Sequence, residues 1–371
     1  MATKVTQTVQ TEAGTSIEVR CIESINCLLL MREQIDAISD NPFLKSAWMY
    51  PWIETMCSDS CKLHFLVVMR EQQVVGYAPL VLRKSFSRGR HLTFVGSGKT
   101  CADYMTFPTL PGFEEEVNTA IAGWLNENDS HWDRMELDGV TVDNSSTSNF
   151  CDSMTALGCE VHPIETLSSY RLELPETWDD FLATLSKNSR KKFRRQSRAI
   201  EGNSTLHQAT DSKSLLQGLE ILESLHTSRW NSLGEEGCFA HPGFREFLTA
   251  MAKEKLEQGT LSLIWLTYEG QPIAADIGYR SEEGLYTYQG GISTEHLHLE
   301  PGRAIIKCQM ELAMARGLKF IDFLRGDEPY KARFNTNEIK NLRYEIVGGN
   351  TRARVVHSIL HIGRLVKSIG N

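Results

Sequence analysis

The hydrophobic pattern divides the chain into two halves with a similar order of predicted elements. Short apolar segments flank a polar turn at Leu63–Met69 and Val74–Leu82, and again at Leu261–Thr267 and Ile273–Tyr279. Apolar runs of this length bounded by turn residues predict strands, so each pair predicts a β-hairpin. Because helices and strands surround both hairpins in a similar order, the sequence predicts two similar domains built on one duplicated plan.

The clearest alternation of strand and helix periods lies in Gly284–Lys331. Leu285–Gln289 is aromatic and β-prone, and we expect the pair Gly290–Gly291 to end this strand at a bulge or a close backbone approach. Apolar residues at helical spacing then predict a helix over residues 301–316, and Lys319–Leu324 is a second apolar strand. This order is typical of an α/β unit.

The start of that predicted helix is a candidate phosphate site. Pro301, Gly302 and Arg303 occupy its first positions. The first N–H groups of a helix lack partners within the helix, and the helix dipole places positive charge at the same end. Arg303 adds a cation, and Gly302 lets a ligand approach the backbone. The alternative is an ordinary strand–helix–strand unit with a tight turn and no ligand.

The fold class predicted for the whole chain is α/β, with mixed (α+β) sheets in two domains. Residues 1–17 are rich in Thr and Gln and are predicted to be disordered. The first domain is predicted to span residues 18–167 and the second residues 168–348, ending with a strand over Leu342–Val347. A basic amphipathic helix is predicted over residues 349–371.

The composition indicates a soluble globular protein, because 41% of the 371 residues are hydrophobic and 23% are charged. A formal net charge of −8 argues against a general nucleic-acid binder. The nine cysteines are scattered without metal-site spacing, so we expect free thiols and no metal in a cytoplasmic protein. The polar N-terminus has no signal-peptide core, which favours the same location.

Two basic segments predict contact with anions. The helix predicted over Trp178–Ile200 carries seven cations in the twelve residues Lys187–Arg198. Its predicted partner is a CoA 3′-phosphate, a sugar phosphate, a tRNA or a membrane surface, and the alternative is a solvated helix face. The C-terminal helix combines an apolar stripe with cations. It predicts peripheral contact with the inner face of an anionic membrane or, alternatively, docking on the protein itself or in a dimer.

Residues 284–331 resemble the cofactor-binding core of the GNAT acyltransferase superfamily, and more narrowly its CelD-like branch, named for a protein of cellulose biosynthesis. The residues that carry the resemblance are Pro301–Gly302, Asp322–Phe323, Arg325–Gly326, Tyr330–Lys331, His226, Arg229 and Trp230. The superfamily's pyrophosphate loop reads Gln or Arg, two residues, Gly, one residue, Gly or Ala. Gly302 and Ala304 match its end, whereas Leu299 replaces the Gln or Arg.

This resemblance implies tandem GNAT-like domains, as in Fem-type peptidoglycan transferases, with an acyl-CoA site in the second copy. The first copy lacks a Pro-Gly helix start and is predicted to be degenerate. Backbone groups near the glycine pair are expected to hold the pantetheine and polarise the acyl carbonyl. The predicted cofactor-binding residues are Gln289, Gly290, Gly291, Pro301, Gly302, Arg303 and Ala304.

Acyl transfer to an amine needs a base for the amine and an acid for the leaving thiolate. Asp322 lies inside an apolar strand, where a carboxylate can have a raised pKa, and is the predicted base. Glu328 and Asp327 are alternative bases. Tyr330 is the predicted acid, because the resemblance implies a tyrosine after this strand. The alternatives are a structural Asp322, paired with Arg325 or the backbone, and a solvated loop.

A further group of residues is predicted to bind the acceptor. His226 and Trp230 share a helix face at a spacing of four residues, and Lys331 is a cation for a carboxylate or phosphate. In the first half, Asp103–Tyr104 follows a glycine turn where the resembled branch has a polar pair. The predicted acceptor-binding residues are His226, Arg229, Trp230, Lys331, Asp103 and Tyr104. The alternatives are a half-buried histidine and a capped turn.

The sequence therefore predicts an N-acyltransferase that moves an acyl group from acyl-CoA to an amine of a sugar, sugar nucleotide or amino-acid-like acceptor. The amine is expected to attack directly in a ternary complex. The resemblance implies a role in exopolysaccharide or cell-envelope synthesis. The alternatives are a Fem-type aminoacyl-tRNA-dependent transferase and a non-catalytic regulatory or scaffold protein that keeps the fold.

Overall fold

The computed structural model describes residues 6–10, 16–57, 61–85, 89–200, 202–328 and 330–359. The chain forms two compact units, one of residues 1–166 with 340–371 and one of residues 167–339. Among the helices described, none combines the length and the apolar character needed to cross a membrane.

The helices and strands of the first unit follow one another in chain order. They are β1 (Thr6–Gln10), β2 (Ser16–Ile22), α1 (Ile25–Leu29), α2 (Arg32–Ile38), α3 (Ser46–Met56), β3 (Cys61–Leu63), β4 (Phe65–Arg70), β5 (Gln73–Ala78), β6 (Leu80–Ser85), β7 (Gly89–Phe94), α4 (Glu114–Glu127), β8 (Arg134–Thr141), α5 (Ser145–Ala156) and β9 (Glu160–Glu165).

The second unit begins with the next strand. Its elements are β10 (Ser169–Glu173), α6 (Trp178–Thr184), α7 (Lys187–Ile200), β11 (Ser204–Gln208), α8 (Ser212–Ser232), α9 (Phe244–Glu257), β12 (Leu261–Tyr268), β13 (Gln271–Arg280), β14 (Gly284–Ile292), α10 (Pro301–Ala315), β15 (Phe320–Arg325) and β16 (Asn337–Ile339), with short 3-10 helices at Cys238–Ala240, Leu297–Leu299 and Lys331–Phe334. The chain then returns to the first unit with β17 (Asn341–Val347).

Both units are built on the same strand order, which confirms the duplicated plan. The second unit has one sheet, β11-β12-β13-β14-β15-β10-β16. The first unit has β1-β2-β4-β5 and β3-β6-β7-β8-β17-β9, so the continuous run β5–β6 takes the place of β13 and divides between two sheets. In each unit a long helix, α4 or α10, connects two parallel strands, β7 with β8 or β14 with β15.

The strand predicted over Leu342–Val347 is present as β17, but it belongs to the first unit and does not close the second domain as predicted. β17 lies between β8 and β9 of the first unit. The corresponding place in the second unit, between β15 and β16, is taken by β10. Strand β10 follows β9 in the sequence but pairs in the sheet of the second unit, and β17 follows β16 but pairs in the first unit. The two units therefore exchange one strand each, through contacts between residues far apart in the sequence.

The N-terminal segment is partly ordered, in contrast to the predicted disorder over residues 1–17. Residues Thr6–Gln10 pair antiparallel with residues 16–20 of β2, from Thr6 with Arg20 to Gln10 with Ser16. The β-branched residues Thr6, Thr8 and Val9 favour an extended chain that can pair with the edge of β2. Residues 1–5 and 11–15 lie outside the described residues.

Two further local predictions need correction. The helix predicted over residues 178–200 is two helices, because Leu185 is extended and the Ser186 hydroxyl accepts the N–H of Ser189 to start α7. Cys57 and Cys61 form a disulfide, so these two cysteines are not free thiols. Their spacing of four residues is the closest in the chain. At the C-terminus, residues 351–359 are helical, and the rest of the predicted basic helix lies outside the described residues.

Candidate active site

Strands β14 and β15 pair for only part of their length. Their parallel pairing runs from Gly284 with Phe320 to Tyr286 with Asp322 and then stops. Both strands continue, to Ile292 and Arg325, without pairing to each other. We call the gap between residues 287–292 and 323–325 the slot. It lies on the strands that α10 connects and packs against, where an extended ligand can insert between two strands.

Asp322 stabilises the end of β15, where this strand diverges from β14. Its Oδ1 accepts the N–H of Leu324 at 2.9 Å, and its Oδ2 accepts Nε–H of Arg171, its cross-strand neighbour on β10, also at 2.9 Å. Leu324 has a φ of 56°, in the left-handed region. Because the Asp322 side chain accepts the Leu324 N–H, this N–H does not pair with a neighbouring strand. Asp322 is fully buried and committed on both oxygens, which assigns it a structural role in place of the predicted catalytic base.

The glycine pair does not end β14, which runs through Gly290 and Gly291 to Ile292. The bulge lies just before it, where the register against β13 shifts between Ile277 and Gly278. The expected close approach is present. A Cβ on Gly291 would lie 2.6 Å from the backbone nitrogen of His226, so α8 packs directly on this glycine.

A carboxylic acid that the sequence analysis missed faces Gly290. Asp276 lies opposite Gly290 on β13, and a Cβ on Gly290 would lie 3.1 Å from Asp276 Oδ2. Gln309 on α10 donates its Nε2–H to Asp276 Oδ1 at 2.6 Å. Burial raises the pKa of Asp276 well above its usual range, although Gln309 opposes the shift. The sequence signal that could have identified Asp276 is its position as an acidic residue among the apolar residues of β13.

Tyr330 lies within electrostatic reach of Asp276. Its ring packs edge-on against Phe323 of β15, with centroids 6.2 Å apart. Although 38% of Tyr330 is exposed, desolvation of its hydroxyl raises the pKa of the phenol, and the negative charges of Glu328 and Asp276 raise it further. The phenol therefore keeps its proton at neutral pH, as an acid catalyst must.

Lys331 closes the loop after β15 and is not available to bind an acceptor as predicted. Only 2% of its surface is exposed, and Nζ donates to the Leu324 carbonyl at 3.2 Å. Nζ also pairs with Glu328 at 2.8 Å. Glu328 is therefore occupied by a neighbour, which weakens its case as an alternative base.

The start of α10 has one cation, Arg303, and few free N–H groups. The N–H groups of Arg303 and Ala304 donate to the Glu300 carbonyl, at 3.0 and 3.2 Å, and the Arg303 guanidinium pairs with the Glu300 carboxylate. Pro301 has no N–H, so Gly302 supplies the available donor. A Cβ on Gly302 would lie 3.8 Å from Ile292, so this position has room.

The basic face of α7 lies beside this helix start. The Arg303 guanidinium stacks on Phe193 of α7 at 5.0 Å from the ring centre. Phe193 is buried, whereas the cations around it are exposed except for half-buried Arg190. In the part of the chain that the structure describes, none of the cations in Lys187–Arg198 has a carboxylate within 4.0 Å. The region therefore presents uncompensated positive charge.

His226 and Trp230 lie on the opposite side of β14 from Asp276. Neighbouring residues of a strand face opposite sides; Gly290 faces Asp276 and α10, while Gly291 faces α8. His226 is 2% exposed, and its Nε2 lies 3.4 Å from Cys238 Sγ. Burial lowers its pKa to about 4, against a smaller opposing effect of Gln289. Trp230 packs beside it, and Arg229 is half-buried nearby.

The other predicted pair belongs to the first unit. Asp103 is buried, and Tyr104 has a φ of 57° with its carbonyl accepting from Asn41 Nδ2 at 2.6 Å. The next residue, Met105, donates its N–H to the Gly139 carbonyl at 2.8 Å. A polar cavity of about 410 Å³ in this unit is lined by Thr106–Thr109 and the start of α5, and neither member of the pair lines it.

The profile of the acetyltransferase (GNAT) domain matches residues 187–332, from the first residue of α7 to the loop after β15. No curated protein sequence matches the chain.

Solved structures resemble both units together. The crystal structure of FemX superposes with a TM-score of 0.60 at 12% identity, covering 84% of this chain and 95% of that one. A conserved protein of unknown function from Bacteroides thetaiotaomicron VPI-5482 gives 0.58 at 13%, covering 86% and 97%. The C-terminal domain of a putative lysylphosphatidylglycerol synthetase from Agrobacterium fabrum gives 0.53 at 10%, covering 88% and 95%. These likenesses establish the tandem fold alone.

The structural role of Asp322 can be tested by its removal. Asp322→Ala should lower the free energy of unfolding by about 3 kcal/mol, because it leaves Arg171 partly buried without its partner and frees the Leu324 N–H. Denaturant unfolding measures this loss. As a matched control, Glu311→Gln breaks the more exposed Lys307–Glu311 pair and should cost about 0.5 kcal/mol. An Asp322→Ala protein of wild-type stability would contradict the structural role.

The buried His226 should make the protein sensitive to acid. Its pKa falls from 6.5 to about 4 on folding, so its stabilising effect is present above pH 6.5 and is lost as the pH falls toward 4. Between pH 7.5 and 5 the loss should be about 2 kcal/mol. Urea unfolding at both pH values measures this loss. Between pH 7.5 and 5, the free energy of unfolding of His226→Gln should fall by about 2 kcal/mol less than that of wild type. The exposed His298→Gln control should keep the wild-type dependence; equal losses in all three proteins would contradict the assignment.

Proposed function

We propose that the second unit is an N-acyltransferase that takes its acyl group from acyl-CoA and transfers it to an amine. The observation that carries this proposal is the slot between β14 and β15, inside residues that match the GNAT domain. A slot between parallel strands accepts a long, narrow donor whose amides can bond to strand edges. The positive charge beside it, on α7 and at the start of α10, suits the phosphates at the far end of such a donor.

The side chains around the slot fit a donor that contains amide groups. Gln309 is 1% exposed and its Oε1 has no hydrogen-bond partner among the described residues, while its Nε2 holds Asp276. A buried acceptor without a partner costs stability unless a ligand or water satisfies it. An amide N–H of the bound donor is a suitable partner for Gln309 Oε1.

Asp276 and Tyr330 are suited to the two proton transfers. Asp276 accepts a proton from the attacking amine; its raised pKa brings the carboxylate closer to the basicity that general-base catalysis at neutral pH requires. Gly290 has no side chain between Asp276 and the slot. The amine nitrogen bonds to the acyl carbon, the carbon–sulfur bond breaks, and Tyr330 gives its proton to the leaving thiolate. Tyr330 then regains a proton from Asp276 or water.

The acceptor is proposed to approach from the α8 side of β14. Half-buried Trp230 and Phe239 form an aromatic surface that can pack on an apolar or sugar face. Buried His226, which is neutral at pH 7 because its pKa is about 4, packs against both rings from below this surface. We propose an amine on a sugar, sugar nucleotide or amino-acid-like acceptor in exopolysaccharide or cell-envelope synthesis. Peripheral membrane contact through the C-terminal helix belongs to the same proposal.

A second candidate is transfer from an aminoacyl-tRNA, the reading implied by the Fem-type resemblance. The observation that favours it is the dense exposed charge of Lys187–Arg198, which exceeds what one CoA molecule neutralises. Contacts with many phosphates would make binding steeply salt-dependent. The acyl-CoA reading is preferred because the slot needs an extended donor and one phosphate site is available at Gly302.

The donor site can be tested by calorimetric titration with acetyl-CoA and with S-acetylpantetheine, which lacks the nucleotide phosphates. Wild type should bind acetyl-CoA at micromolar concentration and the pantetheine ester about a hundredfold more weakly. Gly302→Val should weaken acetyl-CoA binding at least about tenfold, because the side chain covers the available N–H. Gly123→Val, in open space on α4, is the matched control. Salt-sensitive tRNA binding without acetyl-CoA binding would favour the second candidate instead.

The catalytic assignment can be tested with Asp276→Asn. With acetyl-CoA and a panel of amino sugars and amino acids, thiol release should fall about a hundredfold or more while donor affinity is unchanged. The wild-type rate should rise with pH as Asp276 loses its proton, and this rise should disappear in the variant. Asp152→Asn, at an exposed position on α5 of the first unit, is the matched control. An active Asp276→Asn enzyme with the same pH profile would exclude Asp276 as the base.

A further inference from the structure

A cluster of potential metal ligands lies in the first unit, on strands that do not contribute to the slot. Cys21 stands near the end of β2, Glu23 follows it by two residues, and His64 lies between β3 and β4. The antiparallel pairing of β2 with β4 places Cys21 opposite Leu66 and Ile22 opposite Phe65. The fold thus brings residues 43 positions apart into direct contact.

The donor atoms converge at distances that suit one ion. Cys21 Sγ lies 3.7 Å from His64 Nδ1, and a Glu23 carboxylate oxygen completes a group whose atoms all lie within 4.8 Å of one another. Zn–S and Zn–N bonds of about 2.3 and 2.0–2.1 Å at a tetrahedral angle place S and N about 3.5 Å apart. The observed separation needs only a small adjustment.

The carboxylate in the cluster has no cationic neighbour among the described residues. Cys21 and His64 are 5% and 4% exposed, and Glu23 stands at the exposed side. No Lys or Arg of the described chain lies within 4.0 Å of Glu23. A simple S–H···N hydrogen bond would explain the contact of Cys21 with His64, but it leaves the Glu23 carboxylate beside a buried thiol without a counter-charge.

We propose that Cys21, Glu23 and His64 bind a divalent cation of the zinc class, with water in the fourth position. A thiolate, an imidazole and one carboxylate favour Zn(II) or Co(II) over Mg(II) or Ca(II), which prefer oxygen ligands. On binding, the Cys21 thiol gives its proton to solvent and its sulfur bonds to the metal, with no change in oxidation state. The ion would tie the end of β2 to the start of β4. This inference is independent of the proposed transferase activity, and it revises the sequence-based expectation of no metal.

The test uses the full chain, with any affinity tag removed and metal stripped by a chelator under conditions that keep the Cys57–Cys61 disulfide. Titration with Co(II) should give one equivalent of binding, with thiolate-to-cobalt charge-transfer absorption in the near ultraviolet, and Zn(II) should displace it and raise the thermal unfolding midpoint. Cys21→Ser should lose the charge-transfer band and weaken binding at least about tenfold. Glu23→Gln, at an exposed position that leaves the core intact, should also weaken binding while keeping the band.

Two controls separate this site from other thiols. Cys151→Ser removes a buried cysteine of similar exposure and should keep one equivalent of Co(II) with the same spectrum. The double variant Cys57→Ser, Cys61→Ser should do so too. A wild-type protein that binds no Co(II) or Zn(II), or a Cys21→Ser protein with the wild-type spectrum and affinity, would overturn the proposal.

Discussion

The slot depends on the two hydrogen bonds that Asp322 accepts. A carboxylate in the middle of a sheet normally disfavours the strand, but Arg171 neutralises this one from the neighbouring strand and stacks on Phe320 at 4.0 Å. The second oxygen takes the Leu324 N–H and stabilises that residue in the left-handed region. A leucine rarely adopts this conformation without such support. β15 therefore stops pairing with β14 at Asp322, and the slot is a consequence of this ion pair.

The sequence was sufficient where structure depends on local periodicity. The helix over residues 301–316 and both hairpins were predicted correctly, because apolar spacing and turn residues act within a few residues. The prediction that β14 ends at Gly290–Gly291 was wrong. These glycines are required by the close approach of Asp276 and α8, which are distant in the sequence. Asp276 was missed for the same reason: its partner Gln309 lies 33 residues away.

Asp322 and Lys331 show the same limit for chemistry. Their residue types and positions predicted a base and a ligand cation, and each type is common in active sites. Their burial and partners instead make one the support of the slot and the other the closure of its loop. A sequence motif indicates which residues matter, whereas the distribution of hydrogen bonds decides whether a charged group acts on a ligand or on the protein itself.

Because of the strand exchange, the chain cannot be divided into its two halves without removing a strand from a sheet. Without β17, strands β8 and β9 would each lose a neighbour inside a sheet, and buried N–H and C=O groups would be left without partners. Without β10, β15 would lose the strand that carries Arg171, and Asp322 would be a buried charge with no counter-ion. The segment that joins the two halves therefore supports the slot directly. Strand β10, which directly follows β9 of the first unit in the sequence, thus belongs to the second unit and supplies the counter-charge at the edge of the slot.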